Sequence, residues 1–159
     1  MAYDPLNRDD IAYRKELVEK YRPIVERLVT YLPWLESKIG VNTSQTFTGE
    51  EVGLHSVPFP VYDSTLMSLV KLLQTSNLMD RNYVYVYSRN RIKTHDDEIR
   101  VIRGSELKDI DNIKAMLSKY VMEGMRRGTM WTEGVSSGIF YESILQLKKN
   151  IEYWDVPIH

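Results

Sequence analysis

The chain contains no cysteine. That excludes disulfides, a thiol nucleophile and any cysteine-ligated metal. Histidine is nearly as scarce: His55, His95 and His159 lie far apart and make no metal-ligand spacing, so no metal and no cofactor are expected. An excess of positive charge is missing too. Lys and Arg number 21 against 22 Asp and Glu, for a net charge of −1. Broad electrostatic binding to nucleic acid needs a strongly basic face, so nucleic acid is not the expected partner. No apolar run reaches the roughly 18 residues that a membrane span requires. The opening MAYDPLNRDD is polar and lacks the apolar stretch of a signal peptide. Together these absences predict a cytoplasmic protein. Reaction motifs are absent as well. GTMWTEGVSSG has neither the spacing nor the lysine of a phosphate-binding loop. Ser136-Ser137 falls in a helical pattern, where hydroxyls bond back to the backbone, and is no nucleophile elbow.

What the chain does have is an ordinary globular composition, 43% hydrophobic and 27% charged over 159 residues. Residues 1–8 read as a flexible N-terminal arm and 9–159 as a single globular helical domain. Asp9 or Asp10 can cap a first helix, and Leu17, Tyr21, Ile24, Val25, Leu28 and Leu32 mark one face of it. Pro23 should kink or restart that helix. Pro33 opens a further short turn through Trp34 and Ile39, ended by Gly40. Residues 41–62 lack a helical period and read as a long loop, with Val57, Phe59 and Val61 alternating like a short strand. Asp63 or Ser64 caps a helix carrying Leu66, Leu69, Val70 and Leu73, which stops near Ser76-Asn77. In NYVYVYSRNRI, Tyr83, Tyr85 and Tyr87 alternate with valines at a strand period, and Ile99 to Ile102 is the available partner. Strand and helix both remain open for 83–92. Ser105 should cap a helix with Leu107, Ile110, Ile113, Leu117, Tyr120 and Val121 on its face. The expected fold is mainly α: a compact helical domain ending in an antiparallel helix pair, with at most a short β hairpin near 83–102.

The densest stretch is 128–154. Gly128 is the expected stop of the preceding helix and Thr129 the cap of the next. Trp131, Val135 and Ile139 form one stripe; Phe140, Ile144, Leu147, Ile151 and Trp154 form another. Two stripes on one helix predict burial on two sides, with Trp131 and Phe140 both in the core. Gly134 and Gly138, one turn apart, leave room for another backbone to come close. Glu133 is expected to pair with Arg126 or Arg127.

KYVMEGMRRGTMWTEGVSSGIFYESILQL (119–147) resembles the C-terminal signature of a family of small, uncharacterised bacterial proteins, a domain of unknown function. The matching features are Arg126 or Arg127, then Trp131, Glu133, Gly134, Gly138 and Ile144-Leu145-Leu147. VPFPVYDSTLMSLVKLLQTSNLMD (57–80) is a second loosely similar segment, and the two cover about half of the chain. The resemblance implies a mainly helical bacterial protein. It also implies helix near 83–92, with Tyr83, Tyr87 and Arg91 on one face. It implies no activity.

Two functional readings follow. In the first the chain is a non-enzymatic binding or interaction protein, anchored by Arg126-Arg127, Trp131 and Tyr141, with a protein partner or a second copy as its target. In the alternative it is a small enzyme whose anion-binding pocket forms where the 126–133 turn meets the 55–62 loop. Arg126, Arg127, Trp131, Glu133, His55 and Tyr87 are the candidate ligand-binding residues. Acid–base carboxylates could be drawn from Glu123, Glu133 and Glu142, with no spacing that fixes a catalytic distance. The tyrosine run with Arg81, Arg89, Arg91 and Lys93 could stack bases, but half-buried tyrosines beside solvated arginines explain it better.

Overall fold

The computed structural model describes residues 8–41, 44–47 and 59–158. Eight α-helices and two short strands are formed among them. Helix α1, Arg8–Val29, continues past Pro23 rather than restarting there. It turns Leu17, Tyr21, Ile24, Val25 and Leu28 into the core. Helix α2, Leu32–Lys38, has its proline in the first turn, where the missing N–H costs nothing. Gly40 follows with φ +80°. Strands β1, Ser44–Phe47, and β2, Phe59–Tyr62, pair antiparallel with Ser44 opposite Tyr62 and Phe47 opposite Phe59. Helix α3, Ser64–Gln74, is capped by Asp63, whose carboxylate accepts the Thr65 N–H at 2.7 Å.

The tyrosine run is helical: α4 is Tyr83–Arg89 and α5 is His95–Gly104, so the hairpin allowed for near 83–102 does not form. Alternation misleads here because only one valine, Val86, is buried. Tyr83 and Tyr87 stand one helical turn apart and meet their partners through their hydroxyls. A closed capping box starts α5: Thr94 accepts from the Asp97 N–H, and the Asp97 carboxylate accepts from the Thr94 N–H. Ser105 ends α5 rather than starting the next helix. Its hydroxyl donates back to the Val101 carbonyl at 2.7 Å. A 3-10 turn, Leu107–Asp109, then leads into α6, Ile110–Gly124.

The segment expected to be one terminal helix is two. Helix α7, Thr129–Ser136, and α8, Ile139–Trp154, are separated at Gly138, whose φ of +83° suits glycine alone. Thr129 is the first residue of α7 rather than its cap, and α6 has already ended at Gly124, four residues before Gly128. The break re-aims the two stripes. Phe140 is fully buried, while Trp131 is only half-buried. The glycines accommodate aromatic rings rather than another backbone. A Cβ on Gly124 would sit 2.1 Å from the Trp131 indole, and one on Gly134 would sit 2.7 Å from the Phe140 ring. Helix α8 is the element around which the others gather, packing against α1, α2, α5, α6 and α7. Its Phe140, Ile144, Leu147 and Ile151 are fully shielded from solvent. Residues 1–7, nearly all of the expected arm, lie outside the described residues.

Candidate functional site

Glu98 is the anomaly from which the site is built. It is 2% exposed on α5, beside the core residues Val101 and Ile102. An unpaired carboxylate there would be strongly disfavoured, so its partners define the structure around it. Tyr87 of α4 donates its hydroxyl to Oε2, and Tyr120 of α6 donates to Oε1 at 2.8 Å. His95, one turn earlier on α5, places Nδ1 2.8 Å from Oε1. Its other nitrogen, Nε2, lies 3.0 Å from Oε1 of Glu133 on α7. Four helices therefore meet at one histidine and its two carboxylates.

The protonation chemistry follows from these contacts. Burial, and then the Glu98 charge with its hydrogen bond, push the Tyr87 phenol far above its ordinary range, and Tyr120 is raised for the same reasons. Both therefore remain donors at every physiological pH. At His95, burial is the largest influence and pulls the pKa down, but Glu98 and Glu133 together outweigh it and raise the imidazole above 6.5. Tyr83, lower on α4, donates to Oε2 of Glu123 at 3.0 Å. Its phenol is raised by burial and by that carboxylate, against a lowering influence from Arg126.

An open groove of about 480 Å³ lies over this network. Its walls carry Lys93, Lys119 and Arg127 besides His95, Tyr120 and the glutamates. The Lys119 ammonium sits 4.7 Å from the centre of the Tyr87 ring and 5.5 Å from that of Tyr120, a cation–π placement. A second groove of about 570 Å³, lined by Gly40, Val41, Thr129, Thr132, Ser136 and Ser137, shares His95 and Glu133 with the first. A third, of about 340 Å³, joins the first through Glu123 and Arg127 and adds Tyr83 and Arg126.

Of the residues singled out in the sequence, Glu133, Tyr87 and Arg127 come together here. Glu133 pairs with His95 and not with Arg126 or Arg127, because α7 carries it toward the start of α5. Arg126 lines only the adjoining third groove. Trp131 points elsewhere: its indole N–H donates to the Val121 carbonyl at 3.0 Å and its ring packs on Gly124. Tyr141 is half-buried against the core. Glu142 pairs with Arg103 at 2.6 Å, well outside the site. His55 and the rest of 55–58 lie outside the described residues, and 59–62, expected as loop, are strand β2 paired with β1. The sequence reading missed His95, Glu98, Tyr120 and Lys119. The available signal was the pair His95 and Glu98, three apart in the first turn of a helix with a capping box, hence on one face. That Glu98 would be buried had no local signature.

Among the described residues no group of three or more His, Asp or Glu side chains is arranged to hold a metal ion. The two carboxylates bind opposite edges of the His95 ring and so cannot converge on one ion. No helix among the described residues is long and apolar enough to cross a membrane. Comparison with protein-family models, with curated proteins and with solved structures finds no match to this chain.

Proposed function

We propose that this chain is a non-enzymatic binding protein whose groove over the His95–Glu98 network recognises an anionic group on its partner. One observation carries the reading: the carboxylates at the groove have partners, whereas its cations have no ion pair. Glu98 is held by Tyr87, Tyr120 and His95, Glu123 by Tyr83, and Glu133 by His95. Lys93, Lys119 and Arg127 make no ion pair among the described residues. A phosphate or carboxylate would give these cations the ion pair they lack. A cytoplasmic setting, which the cysteine-free composition favours, and membership of the small bacterial family that 57–80 and 119–147 resemble, are parts of the same proposal.

The test is the melting temperature in sulfate and in inorganic phosphate, at constant ionic strength, for wild type and for Arg127→Ala with Lys93→Ala. A stabilisation present in wild type and lost in the double variant is expected. Equal shifts in both proteins, or none in wild type, would refute the site.

A small enzyme is the second reading, favoured by one feature: a buried glutamate orienting His95 through Nδ1, the arrangement of a general base. Against it, the nitrogen that would face a substrate is capped by Glu133. A base in waiting would react with diethyl pyrocarbonate in the native protein. A capped histidine would be protected until Glu133 is replaced by alanine.

A further inference from the structure

The hydrogen-bond partners around His95 favour its protonated state. Glu98 takes the Tyr120 proton and an imidazole nitrogen on Oε1, and the Tyr87 proton on Oε2, so it only accepts. The Tyr120 oxygen lies 3.2 Å from Nδ1, and its single proton is already directed at Glu98, so toward the ring it can only accept. On the far side, Nε2 faces a Glu133 carboxylate oxygen at 3.0 Å. Both ring nitrogens face acceptors, and only the imidazolium, with two N–H groups, satisfies both. A neutral ring leaves one nitrogen lone pair against a carboxylate. The buried Glu98 side is fixed by three partners, whereas Glu133 is 45% exposed and has water as an alternative. Loss of a proton releases the Glu133 contact and keeps the Glu98 one.

That contact borders both of the two larger grooves, since His95 and Glu133 line each of them. We propose that the His95–Glu133 pair is a proton-operated gate bordering these grooves, shut while the imidazole carries two protons and open once it carries one, and that opening weakens anion binding. The inference names the regulation of the anion groove proposed above and rests on that reading. On opening, the imidazole loses its positive charge and Glu133 becomes an unpaired carboxylate at the groove margin. Both changes repel an anion.

The charged and titratable groups facing the ring are few. Tyr87 of α4 and Tyr120 of α6 stay protonated across the range concerned. Lys119 and Glu123 of α6, with Arg127 beyond its end, line the groove from the opposite wall, and Lys93 lies just before α5. On α5 itself, Asp97 is turned away, accepting from the Lys93 and Thr94 N–H groups. The pairing with Glu98 and Glu133 raises the imidazole, so the gate shuts below the ordinary histidine range and opens as the pH climbs past the raised value.

Two measurements test the gate and separate it from the anion site. The first follows the His95 ring by NMR between pH 5 and 9 in wild type and in Glu133→Gln, with no ligand present. A lower midpoint in the variant is expected, and identical midpoints would overturn the gate. The second measures sulfate affinity, since sulfate keeps its charge over this range, in wild type and in His95→Gln. Wild type should bind roughly three- to tenfold more weakly above the His95 midpoint than below it, while the variant stays flat. Sulfate binding that is equally pH-independent in both proteins would overturn the gate and leave the anion site standing. If sulfate does not bind at all while the two midpoints still differ, the anion groove is refuted. The proton-operated contact then stands without the ligand coupling.

Discussion

Replacing Glu98 with alanine tests whether the buried carboxylate organises the site. The substitution removes the acceptor of Tyr87, Tyr120 and His95 together. Hydrogen bonds to a charged group contribute about 1.5–3 kcal/mol each. They do not simply add here, because Tyr87 is half-buried and His95 is 47% exposed, so water can satisfy part of what is lost. Tyr120 is 1% exposed and has no such recourse. Breaking a buried charged network by removing one member costs about 3–5 kcal/mol, and the expectation for Glu98→Ala falls in that range. For a domain of this length that is a melting-temperature drop of about 6–20 °C. Glu133→Gln removes a charge from the same histidine at an exposed position and should cost no more than about 1 kcal/mol. Urea unfolding at pH 7, followed by circular dichroism at 222 nm, measures both through the midpoint at constant slope. The reasoning fails if Glu98→Ala lies within about 1 kcal/mol of wild type, or if Glu133→Gln matches it, since burial would then not decide the difference.

Three further outcomes are expected. Gly124→Ala should destabilise by about 1–3 kcal/mol, because the new methyl drives into the Trp131 indole at 2.1 Å and displaces its bond to Val121, outweighing the gain in helix propensity. Gly104→Ala, whose Cβ meets nothing within 4 Å, should be neutral or slightly stabilising, so chemical denaturation that ranks the two alike would contradict this packing. Ser143→Ala should raise stability by about 1 kcal/mol in a thermal melt, since the buried Ser143 hydroxyl has no hydrogen-bond partner. The stability difference between wild type and His95→Gln should depend on pH. With the folded-state pKa raised, the contribution of His95 is complete below pH 6.5 and is lost as the pH rises through the raised value. A difference that grows toward alkaline pH in unfolding curves would reverse the sign and refute the double carboxylate pairing.

Much of the helical framework was determined by the sequence alone. Apolar residues spaced at three and four in 17–28, 66–73 and 107–121 can only be buried together on a helix, and those faces are the core. Asp63 before an apolar run is a local capping signal, and the structure uses it. Signals that two local rules shared were resolved only by tertiary contacts. The alternating tyrosines of 83–87 fit a strand, yet Glu123 of α6 accepts from Tyr83 and Glu98 of α5 from Tyr87, one turn apart on a helix. The stripes of 128–154 fit one continuous helix, and the positive φ at Gly138 divides it so that the Phe140 ring can lie on Gly134. Glu133 offered a choice of nearby arginines in the chain, and its partner is a histidine 38 positions away. Apart from the His95–Glu98 pair on one turn of α5, the candidate site belongs to this second class. Tyr87, His95, Glu98, Tyr120 and Glu133 come from four helices, and no spacing rule links residues across helices. A short-range pattern reports which face of an element is apolar, whereas the burial of one carboxylate depends on which faces the folded chain brings against it.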